Sequence, residues 1–71
     1  SSGSDTMIRK DIYDALARLS ETQRTCITMQ LIDGRAIDEI SKITGMPIGT
    51  VKSHLKRGKD QMVDFLKKNG Y

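Results

Sequence analysis

The chain has 71 residues, which is enough for one domain and too few for two. Three aromatics, a single proline and no alternating β-branched runs exclude a β-sandwich, and the lone cysteine, Cys26, excludes an internal disulfide framework. The net charge of +3 is unevenly divided: residues 1–44 hold six bases against seven acids, whereas residues 45–71 hold six bases against Asp60 and Asp64.

Ser1-Ser2-Gly3-Ser4 is small and polar and reads as a linker or tag remnant, leaving residues 5–71 as the domain. The pattern beyond it predicts an all-α, four-helix domain with helices at about residues 6–18, 21–32, 36–44 and 48–68. In the first, Ile8, Ile12, Leu16 and Leu19 recur at three- and four-residue intervals and share one face, with Ser4 or Asp5 available as a cap. The second starts at a capping box, Ser20 with Gln23, and Glu21 adds negative charge to its positive end. It should continue through Cys26, Ile27 and Leu31 and stop near Ile32, with Asp33-Gly34 as the turn. The third should turn Ile37, Ile40 and Ile43 inward and stop at Gly45, because Met46-Pro47 cannot continue it. The fourth opens at Pro47 or Ile48, carries Val51, Leu55, Met62 and Leu66 as its apolar stripe with Phe65 beside it, and stops at Asn69-Gly70.

The last two helices, joined by Thr44-Gly45-Met46-Pro47, have helix-turn-helix spacing, with Met46 pinning the turn to the core and Ser41 small where the helices cross. The same geometry also suits a corner in a helical bundle. What separates the two is the final helix. Its apolar stripe leaves Gly49, Thr50, Ser53, His54 and Arg57 outward, with Lys52, Lys56 and Lys59 along one flank. Residues 50–59 hold four bases and no acid, whereas a merely solubilising face mixes both signs. Small residues at the tip admit close approach to base edges, hydroxyls bond bases or phosphates, and Arg57 or Lys52 suits a guanine O6/N7 pair.

Residues 49–59, Gly-Thr-Val-Lys-Ser-His-Leu-Lys-Arg-Gly-Lys, resemble the recognition helix of bacterial extracytoplasmic-function sigma factors, which carry G-T-V-K-S-R-L, a basic pair and a small residue. Upstream, Ala15-Leu16 with Leu19, Arg24, Gly34, Glu39-Ile40 and Gly45 fall where that family's C-terminal domain has its A-L-x-x-L-P, R, G, E-I and G. The resemblance runs without gaps over residues 15–66. It implies sequence-specific binding of the double-stranded −35 promoter element in transcription initiation, a seat on the β flap of the RNA polymerase core, and an anti-sigma factor as a further partner. It also implies an N-terminal domain that opens the −10 element. Nothing here corresponds to that domain, so the chain reads as an excised C-terminal piece. Departures are Ser20 for the family's proline, Ala36 where a capping Ser or Thr is common, and His54 for Arg. Carried onto this sequence, the DNA contacts are Ile48, Gly49, Thr50, Lys52, Ser53, His54, Lys56, Arg57 and Lys59, with Arg35 near the backbone where the third helix crosses a strand.

Two other readings fit part of the pattern: a LuxR-type response-regulator output domain, which shares Thr-Val-Lys-x-His, and a protein-interaction module that holds an anti-sigma factor on its first two helices. Gly49 and the basic run after Leu55 favour the sigma reading. Cys26 reads as a small buried hydrophobe, the methionines Met7, Met29, Met46 and Met62 as core filling, and Asp38-Glu39 as a helix-start charge pair. His54 lacks companions at ligand spacing, so no metal is expected. No nucleophile–base pair or phosphate loop is present, and neither an enzyme nor a cofactor or small-molecule substrate is expected. With no signal peptide and no apolar run of about 20 residues, the expected location is the cytoplasm, away from membranes.

Overall fold

The computed structural model describes the backbone of residues 2–68 and the side chains of residues 9–68. It is all-helical: α1 (Ser2–Ala17), α2 (Glu21–Ile27) running directly into a π-helical segment (Thr28–Ile32), α3 (Ile37–Thr44) and α4 (Ile48–Lys68). The four helices fall where the periodicity puts them, within a residue or so at most ends. α1 is the exception. It begins at Ser2, so the segment read as linker shares its first turn, because extending a nucleated helix by one turn costs little. Ser4 and Asp5 therefore lie inside the helix, not at its N-cap as expected, whereas the packing of Met7 and Ile8 and the Asn69-Gly70 stop lie outside the described residues.

α4 is the spine, about 31 Å long at 1.5 Å per residue, and the other three helices pack against it. The core comprises Ala15, Leu16, Leu19, Cys26, Ile27, Ile40, Val51, Leu55 and Met62, with Ile12, Met29, Ile37, Met46 and Phe65 partly buried around it. Gly58 completes the α4 stripe. A Cβ there would overlap Ile27 Cδ1 and come within 3.3 Å of Ile27 Cγ1, so the absent side chain is what lets α2 cross so closely. Arg18, just past α1, lays its guanidinium 4.4 Å from the Phe65 ring centroid and ties that end of α1 to the last turns of α4.

The helix ends follow local chemistry. The Gln23 amide donates to Ser20 Oγ at 3.2 Å and the Ser20 amide to Gln23 Oε1 at 3.4 Å, which completes the expected box. Ala36 has no oxygen to offer α3. Only the reciprocal half forms there, with the Ala36 amide donating to Glu39 Oε1 at 3.2 Å. Gly34 and Gly45 hold left-handed φ of 71° and 75°, as the two stops require.

One inward assignment, that of Ile43, is corrected, and Leu31 also faces outward. Leu31 is 55% exposed, in a segment where the chain widens into a π turn and the Asp33 amide reaches back five residues to the Thr28 carbonyl. Ile43 is 51% exposed, because three steps of a 3.6-residue repeat fall short of a full turn and each i+3 neighbour drifts about 60°. α3 instead meets the core through Ile37, Ile40, Ser41 and Thr44.

Candidate nucleic-acid interface

The turn between α3 and α4 is held by two hydroxyls. Ser41 Oγ donates to the Met46 carbonyl. Thr44 Oγ1 donates to the Ile40 carbonyl at 2.7 Å and accepts from the Met46 amide at 3.4 Å. Ser41 therefore does more than keep the crossing small: it fastens the chain as it leaves Gly45. The sequence marked the position, but only coordinates pair that hydroxyl with a carbonyl five residues on. With Met46 partly buried against the core, the angle of α4 is fixed before its first residue.

From that anchor, Val51, Leu55, Gly58 and Met62 face inward. The rest of the N-terminal half of α4 is turned out. Ile48, Gly49, Thr50, Lys52, Ser53, Lys56, Arg57 and Lys59 are exposed and His54 is half-buried. At 100° per residue, Gly49 and Ser53 lie near the middle of this outward face, Lys52 and Lys56 on one side and Thr50 and Arg57 on the other. Ser53 Oγ donates to the Gly49 carbonyl at 3.1 Å and leaves its lone pairs facing solvent. Among the described residues, none of the bases on this face is in an ion pair.

Arg35 stands apart, in the loop before α3. Its guanidinium lies 3.8 Å from Glu39 Oε2, and both side chains are about half exposed. An exposed i,i+4 pair of this kind adds only a few tenths of a kcal/mol, so a stronger anion can recruit Arg35. Lys59 is at the border of two surfaces. It also rims an apolar groove of about 330 Å³ lined by Ile12, Leu31, Met62, Val63 and Leu66. The sequence did not mark this groove, since it needs the π turn to bring Leu31 beside α1 and α4. A second hollow, about 310 Å³, lies between Glu21, Thr22 and Thr25 of α2 and Thr44 and Met46 of the turn.

Among the described residues no group of three or more His, Cys, Asp and Glu side chains could hold a metal ion, and no helix is long and apolar enough to cross a membrane. Cys26 is fully buried and free, and burial pushes its thiol pKa up.

Residues 9–62 match the family model described as sigma-70, region 4. The chain belongs to the sigma-70 region 4 family. That match decides between the two helix-turn-helix families the sequence resembled. Similar proteins include the ECF RNA polymerase sigma factor SigE of Mycolicibacterium smegmatis, 32% identical over 92% of this chain and 25% of that protein. The ECF RNA polymerase sigma factor SigW of Bacillus subtilis is 33% identical over 72% of this chain and 27% of its own length. The ECF RNA polymerase sigma-E factor of Escherichia coli is 32% identical over 75% and 28% respectively. The chain thus spans about a quarter of the length of these relatives.

Proposed function

We propose that this sigma region 4 domain recognises the −35 promoter element for RNA polymerase, with α4 in the major groove. The observation that carries the reading is the outward face of α4, which is small at its tip, basic along its length and free of ion pairs among the described residues. Ile48, Gly49, Thr50, Ser53, His54 and Arg57 meet base edges or nearby phosphates, and Arg35, Lys52, Lys56 and Lys59 meet the backbone. The positive end of the α4 dipole adds to the attraction for phosphate. His54 in place of the family's Arg trades a fixed charge for a side chain that can donate or accept.

The second contact is with protein. The groove between α1, the π segment and α4 leaves Leu31 and Val63 about half exposed, an apolar surface of the kind a protein partner covers. It suits the β flap of RNA polymerase, and an anti-sigma factor would compete for the same apolar surface. The domain would then act in the cytoplasm as a non-enzymatic module that joins promoter to polymerase.

The test is a fluorescence titration against a randomised duplex pool at two ionic strengths, with sequencing of the bound fraction. Affinity should fall steeply with salt, and Lys52→Ala should weaken binding to every sequence while lowering the log–log salt slope by about one unit. Arg57→Ala should also relax sequence preference. An unchanged slope in Lys52→Ala removes that residue from the contacts. A domain that binds polymerase or an anti-sigma factor but shows no salt-sensitive duplex affinity is an interaction module instead.

A further inference from the structure

Four glycines among the described residues have their surroundings defined, and three have a reason within the fold. Gly34 and Gly45 hold left-handed backbone that other residues rarely adopt. Gly58 sits where a Cβ would overlap Ile27. Gly49 has neither reason. It is the second residue of α4, its φ is not in the left-handed region, it is exposed, and a Cβ built on it meets nothing within 4 Å. Inside a helix, glycine is a poor choice, because it loses the most backbone freedom on folding. The fold would accept alanine here and gain stability from it.

We infer that Gly49 sets the contact distance between α4 and the duplex: its missing side chain serves the nucleic acid, not the protein. The placement agrees. Gly49 lies on the outward face one turn before Ser53, whose hydroxyl bonds the Gly49 carbonyl, and the all-basic run from Lys52 to Lys59 follows directly. A helix whose first turn is bare on that side can bring its backbone into van der Waals contact with a base edge or sugar-phosphate. Lys52, Ser53 and Lys56 then reach the groove from shorter range. A methyl group at residue 49 would hold the first turn away, and every contact along the face would lengthen together. This inference rests on the duplex-binding reading above.

The two roles predict opposite signs, which makes the test sharp. Gly49→Ala and Gly49→Leu are compared with the parent chain by thermal unfolding and by titration of a duplex selected from the randomised pool. Both variants should melt higher, Gly49→Ala by about 4 °C. Gly49→Ala should bind the selected duplex about tenfold more weakly, and Gly49→Leu more weakly still, as expected when a packed contact is overfilled. Undiminished affinity in Gly49→Ala overturns the inference. So does a fall in both affinity and melting temperature, which would make Gly49 a residue the fold needs. Absence of any salt-sensitive duplex binding by the parent chain overturns both this inference and the reading beneath it, whereas normal parent binding with an indifferent Gly49→Ala overturns this one alone.

Discussion

At the scale of single residues, Gly58 and Cys26 show how little slack the core has. Gly58→Ala gains helix propensity, up to about 1 kcal/mol, but drives its new methyl into Ile27, and overpacking a fixed core costs about 1–3 kcal/mol. A net loss of stability is expected in urea unfolding. Ile27→Val removes the Cδ1 that blocks the methyl, so Gly58→Ala should be close to neutral, or stabilising, in that background. A double-mutant cycle with no coupling would show that α2 and α4 can part without cost. The sequence marked residue 58 only as a small residue after the basic pair. That it faces Ile27, about thirty positions away, is a long-range fact that no local signal encodes.

At the scale of elements, the helix starts were legible wherever the capping chemistry is local. Ser20 and Gln23 are three residues apart, so the box can be read from the chain and is found in the structure. α3 shows the converse. Ala36 adopts the extended backbone of an N-cap, φ −76° and ψ 160°, yet supplies no oxygen, and Glu39 alone serves that end. Ala36→Ser should therefore complete the box and raise stability by about 0.5–1 kcal/mol, measured as a higher urea midpoint with unchanged m. An unchanged midpoint would mean that the serine oxygen does not accept from the Glu39 backbone amide. The π segment was not legible. Its residues, Thr-Met-Gln-Leu-Ile, carry an ordinary helical pattern, and only the Asp33 amide bonding five residues back reveals the widened turn. The outward Ile43 has a different lesson: a periodic pattern gives spacing, whereas the angle at which a short helix meets the core decides which of its apolar residues are inside.

At the scale of the whole molecule, the domain should open as one unit, because α1, α2 and α3 all pack against α4 and a 71-residue chain has little stability to spare. Cys26 reports on this. Its thiol is buried, so its reaction with a thiol reagent should follow the global unfolding constant, and destabilising variants such as Gly58→Ala should speed labelling in proportion. Because burial raises the folded thiol pKa above its unfolded value, that contribution to stability is complete at pH values below the unfolded thiol's range. It is lost as pH rises through the folded pKa. Urea midpoints should thus decline in the alkaline range, and Cys26→Ala should lose that part of the decline. Labelling at a rate independent of urea would instead place a local opening around α2.

Local signals in the chain were enough to place the four helices, the Ser20–Gln23 box, the glycine stops at Gly34 and Gly45, and the basic, small-tipped face of α4. Each of these is written in residues within one or two turns of one another, and the helical repeat converts that spacing into a face. That Ser41 fastens the turn, that Gly58 is filled by Ile27 while Gly49 is filled by nothing, and that Leu31 joins Val63 in an apolar groove became visible once the helices were packed together. Those facts depend on which surfaces of separate helices meet, and packing distance is a property of pairs that are far apart in the chain.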